Sequence, residues 1–131
     1  MSVLTMNTFL RNALRIDAVS SAVVGLPMAA GAHPLGDALG LPAPLLFWAG
    51  LVCLPYAAML GWMSLQPRLS STGVCAVVIG NAVWVAGCLA LAFAGWALPT
   101  ALGLGFLLVQ AAVVAVFAEL QWVGWRRAQA A

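Results

Sequence analysis

The sequence predicts an all-α fold, a four-helix transmembrane bundle with both termini on the cytoplasmic side (N-in/C-in). Three observations carry that expectation. Hydrophobic residues make up 65% of the chain and charged residues 6%, with a mean hydropathy of +1.08, whereas soluble domains carry roughly 25% charge. Four apolar runs, near residues 12–32, 45–65, 74–94 and 99–122, each reach the ~20 residues that cross a hydrocarbon core. All five cations are arginines and fall at the same ends of those runs, which the positive-inside rule makes cytoplasmic.

Residues 1–11 are short and mildly amphipathic and read as an interfacial lead-in. Arg11 and Arg15, four residues apart, share one face of a helix. A cleaved secretory signal is the competing reading, with an apolar stretch at 18–30 and Ala30-Gly31-Ala32 as the cleavage site. Asp17 at the head of that stretch speaks against it. His33, Pro34, Gly36, Asp37, Gly40, Pro42 and Pro44 interrupt the apolar pattern and predict a Gly/Pro-rich loop over 33–44. The second run contains Pro55, tolerable where neighbouring helices satisfy the freed carbonyl, and stops at Gln66-Pro67-Arg68. Ser70, Ser71, Thr72 and Gly73 supply a turn with N-cap residues for the third run. After the tight connection 95–98, Pro99 suits the first turn of the fourth.

With 131 residues the chain reads as one transmembrane domain, residues 1–131. A net charge of +2 without lysine excludes nucleic-acid binding by a basic patch, Schiff-base cofactor chemistry and a P-loop. Cys53, Cys75 and Cys88 lie in apolar runs without CxxC spacing and read as small buried hydrophobes. His33 is the only histidine, so no metal site is expected; Met28 with His33 is the weak exception as a copper pair. No serine stands in a GxSxG, no Gly-rich phosphate loop is present, and no internal repeat suggests an inverted-topology transporter. Neither an enzyme nor a cofactor is expected.

Trp48, Trp62, Trp96, Trp122 and Trp125 fall near the run ends as an aromatic belt. Trp84, within the third run, is expected to pack rather than to stack on a ligand. Helices in lipid approach through small residues. Four-residue spacing joins Ser21, Gly25 and Ala29 back to Asp17; Ala49, Cys53, Ala57 and Gly61; Ala82, Ala86, Ala90 and Ala94; and Ala111 and Ala115 on to Glu119. Both carboxylates are therefore expected on inward faces, Asp17 ~8 Å and Glu119 ~10 Å from the cytoplasmic boundary at 1.5 Å per residue. Asn81 and then Gln110 lie deeper.

Asp17, Asn81, Glu119, Arg15 and Gln110 form the candidate polar cluster. In one reading the two acids share an interior proton or cation site, with Asn81 orienting them. In the other, Arg15 and the Asn81 amide satisfy the acids and hold the helix ends in register.

The segments LRIDAVSSAVVGL, IGNAVWVAG and VFAELQWVG, with the four-span layout, resemble uncharacterised small integral membrane proteins of high-GC bacteria. The resemblance implies a multi-pass protein of the bacterial inner (plasma) membrane and no mechanism. Three functions are carried forward: a structural or accessory protein that associates through small-residue faces as a homo-oligomer or in a larger membrane complex; an oligomeric proton- or cation-coupled transporter or channel using Asp17 and Glu119; and binding of a lipid or isoprenoid-like ligand against Trp84 and Tyr56.

Overall fold

Four long apolar helices account for nearly all of the computed structural model, which describes residues 3–130. They are α1 (Thr8–Ala30), α3 (Ala43–Ser64), α4 (Ser71–Phe93) and α5 (Ala101–Ala130), each long and apolar enough to cross a membrane. The all-α four-helix architecture is as the sequence predicts. Three short elements complete it: strands β1 (Val3–Thr5) and β2 (Arg68–Ser70) and helix α2 (Ala32–Leu39).

Local chemistry moves several boundaries. The Asn7 side chain caps α1 by accepting from the Leu10 N–H at 2.7 Å, so the first helix starts before residue 12. Within the expected lead-in, β1 pairs antiparallel with β2, Leu4 opposite Leu69, and both leucines are buried; residues 1 and 2 lie outside the described residues. The expected loop 33–44 contains α2. Its Pro34 sits in the first turn, where a missing N–H costs nothing. Gly40 closes it at φ 69°, donating to the Gly36 carbonyl; only glycine takes that left-handed cap freely. The glycines and prolines thus mark helix ends rather than an absence of helix. Ser70 caps α4, accepting from Gly73, as expected. Pro99 precedes α5 rather than opening it, and Thr100 provides the cap by accepting from the Gly103 N–H at 3.1 Å. α5 then continues beyond residue 122.

Packing is pairwise: α1 lies along α3, α4 along α5, and α1 against α5 joins the pairs. The α1/α3 approach is close because of two glycines. A Cβ at Gly25 would fall 2.6 Å from the Cys53 Cβ, and one at Gly50 would fall 2.6 Å from the Gly25 carbonyl and the Ala29 nitrogen. A Cβ at Gly103 would collide with the Leu39 carbonyl, which fixes α2 against the start of α5. Consecutive α3 and α4 are not a closely packed pair, and a groove separates them at one end.

The small-residue stripes are inward on α1 and α3, where Gly25, Cys53 and Ala57 are buried. On α4 the expectation is corrected: Ala82, Ala86 and Ala94 are exposed and Ala90 is half-buried. Steps of four residues advance ~400° at 3.6 residues per turn, so such a stripe drifts about 40° per step and leaves the face it started on.

All five arginines gather at one end. The Arg11 Nε donates to the Ser64 carbonyl at 2.8 Å, Arg127 lies 4.4 Å over the Phe9 ring, Arg68 is on β2, and Arg15 and Arg126 are exposed.

Candidate functional site

One buried polar network forms where α1, α3, α4 and α5 meet. Asp17 is 2% exposed, Asn81 3% and Gln121 0%. Each stands on a buried helical stripe: Leu10, Ala13, Leu14 and Asp17 on α1, Val74, Val77 and Asn81 on α4, and Phe117, Gln121 and Gly124 on α5. The bundle's own packing therefore turns these side chains toward one another.

The hydrogen bonds close on the carboxylate. Asp17 Oδ2 accepts from Asn81 Nδ2 at 2.8 Å and from Gln121 Nε2 at 2.7 Å, while Oδ1 accepts from the Ser21 hydroxyl at 3.2 Å. Asn81 Nδ2 also donates to Gln121 Oε1 at 2.8 Å, and the Tyr56 hydroxyl donates to Asn81 Oδ1 at 2.9 Å. Tyr56 is half-buried and lines the α3/α4 groove, so it shuts the network on that side. Every polar side chain here is paired, and among the described residues no buried side-chain nitrogen or oxygen lacks a partner. Three neutral donors hold Asp17; no arginine does.

The structure brings together Asp17 and Asn81 and keeps the other sequence-predicted members apart. Arg15 is exposed and, among the described residues, forms no ion pair with Asp17. It lies two residues away on the helix, about 200° around the axis, and so points to the other side. Glu119 is exposed, for the same reason with respect to Gln121: two residues at ~100° each put it on the opposite face. The shared interior of two acids is thus not formed. Gln110 is half-buried and accepts from Trp84 Nε1 at 3.0 Å, a separate α4/α5 contact. Trp84 packs in the cluster around Met28, Leu46 and Leu107, Tyr56 in the one around Leu10, Leu14 and Leu60. The two aromatics do not line one site.

Sequence reasoning missed Gln121, and Ser21 entered only as a packing residue. A signal for Gln121 existed: Leu107, Ala111, Phe117, Gln121, Gly124 and Ala128 recur at helical periodicity, and all are buried. Following that period past residue 122 would have placed Gln121 inside and Glu119 outside.

Chemically, the network can stabilise a buried anion and lock four helices in register. Met28 is buried and His33 exposed, and no group of three or more metal-ligating side chains occurs among the described residues. No family model, curated protein or solved structure matches the chain.

Proposed function

We propose that the protein is a small structural or accessory membrane protein of the bacterial inner membrane, both termini cytoplasmic, that associates through an outward face of α4. The observation that carries this reading is where the chain leaves its small residues. Gly80, Gly87 and Ala94 recur every seven residues, with Val83 and Ala90 between them, and all are exposed or half-exposed. A Cβ at Gly87 would meet no atom within 4 Å, and one at Gly80 only the Tyr56 hydroxyl at 4.0 Å. Inside the chain, the same kind of residue at Gly25 and Gly50 lets the α1 and α3 backbones approach closely. Outside, a seven-residue repeat of small side chains suits a second helix crossing at about 20°.

The closed network supports the same reading, because a carboxylate already satisfied by Ser21, Asn81 and Gln121 serves to align helices. Association is tested by replacing Gly80 and Gly87 with leucine and counting subunits by native mass spectrometry after gentle extraction. The variant is expected to be a folded monomer where the parent is an oligomer or part of a larger complex. An unchanged subunit count would discard this face.

One observation favours a second reading, an oligomeric proton- or cation-coupled transporter or channel. Asp17 is buried without a counter-cation, and ionisable groups so placed in membranes are enriched in ion pathways. In this version Asp17 acts without Glu119. Flux in vesicles should then vanish in Asp17→Asn while assembly persists; flux retained by that variant ends the transporter reading.

A further inference from the structure

The groove between α3 and α4 joins an apolar trough to a cation that has no partner among the described residues. It measures about 380 Å³ and opens at the arginine end. Met59 and Met63 form one wall, Ala76 and Val77 the other, and Tyr56 marks its inner limit. Arg68 stands at its mouth beside Gln66 and Ser70. Among the described residues the Arg68 guanidinium has no hydrogen-bond or ion-pair partner.

None of the three acids in the chain can serve it. Asp17 is taken by the buried network, Asp37 is on α2 at the opposite end, and Glu119 is on α5, which does not border the groove. Arg11 and Arg127, by contrast, are engaged with Ser64 and Phe9.

We propose that this groove is a site for one anionic phospholipid, an acyl chain lying along Met59, Met63, Ala76 and Val77 and the phosphate on the Arg68 guanidinium. The fit is one of charge and depth. Met59 and Trp62 are 43% and 61% exposed, so the trough is open sideways, the direction from which a lipid arrives. Arginine binds phosphate through a planar fork of donors, and basic pockets between transmembrane helices on the cytoplasmic side are suited to anionic headgroups. A zwitterionic headgroup carries its own amine and offers less. This inference does not depend on the association proposed above, which uses a part of α4 nearer its other end.

The test is a lipid titration of the detergent-purified full chain, read by native mass spectrometry, with dioleoyl phosphatidylglycerol against dioleoyl phosphatidylcholine. One phosphatidylglycerol per chain should be retained preferentially. Arg68→Gln should weaken it about five-fold, the worth of one cation near an anionic surface, while Arg126→Gln, at the same end but outside the groove, should leave it unchanged. Ala76→Leu fills the trough and should also release the lipid; because Ala76 is exposed the bundle is left intact, and Met59→Trp provides a second filling variant from the other wall. Equal retention of both lipids overturns the proposal. So does equal weakening by Arg126→Gln, which would mean diffuse surface attraction, or a filling variant that alters subunit count and leaves lipid retention untouched, which would mean that a second copy covers the groove.

Discussion

Asn81 is the residue on which the buried network depends, because it alone bonds a member on each of the three other long helices: Asp17 on α1, Tyr56 on α3 and Gln121 on α5. Replacing it by leucine strands a carboxylate that then keeps one amide donor and one hydroxyl. Hydrogen bonds between membrane helices average about 0.6 kcal/mol, but leaving a buried charge without its partner costs up to about 3–5 kcal/mol. Because Gln121 and Ser21 still hold the carboxylate, a loss below that limit, about 2–3 kcal/mol, is expected. Asp17→Leu should cost less, since Asn81 and Gln121 still pair with each other, and the double variant should cost less than the sum of the two. Unfolding in mixed micelles checks this, and simple additivity would show that the network is not one unit. Glu119→Gln should leave the same midpoint where it was. Asp17 and Asn81 were legible because a polar residue in an apolar run is conspicuous. Arg15 is misplaced because nearness in sequence is not nearness in space, two residues along a helix being slightly more than half a turn, and Glu119 because the four-residue stripe from Ala111 and Ala115 drifts about 40° per step and carries it from the buried face to the exposed one.

At the scale of elements, the approach of α1 to α3 depends on backbone meeting backbone. Gly50→Ala places a Cβ 2.6 Å from the Gly25 carbonyl and the Ala29 nitrogen. These are main-chain atoms that cannot rotate away, so the helices must part. Overpacking of this kind costs about 1–3 kcal/mol. Gly87→Ala provides the contrast: its Cβ meets nothing within 4 Å, and alanine exceeds glycine in helix propensity by about 0.8–1 kcal/mol in water. A lowered thermal midpoint is therefore expected for the first and an unchanged or raised one for the second. The opposite order would mean that α1 and α3 are not crossed at these glycines. Hydropathy located every long helix to within a few residues, save the end of α5, since an apolar run needs no partner to be recognised. Which face of a span packs was less legible: a run apolar all round carries little directional signal, and α4 shows its alanines to the outside.

Across the whole molecule, charge is arranged more simply than packing. The arginine end holds the β1/β2 pair, the start of α1 and the end of α5, while α2 and the turn at Gly95, with φ 83°, close the end that has no cation. Such an asymmetry predicts orientation through the K/R bias of the connections. Green fluorescent protein fused after residue 131 should fluoresce, and alkaline phosphatase fused there should be inactive. Phosphatase inserted after Asp37, in the exposed part of α2, should be active, because the proposed orientation puts that connection across the membrane. The reverse pattern would invert the bundle and carry Arg68 away from the cytoplasmic leaflet, where anionic lipids and the positive-inside bias coincide. A result with both sites on one side would break the four-span count itself: the helices between residue 37 and the C-terminus are α3, α4 and α5, an odd number that must place the two sites on opposite sides.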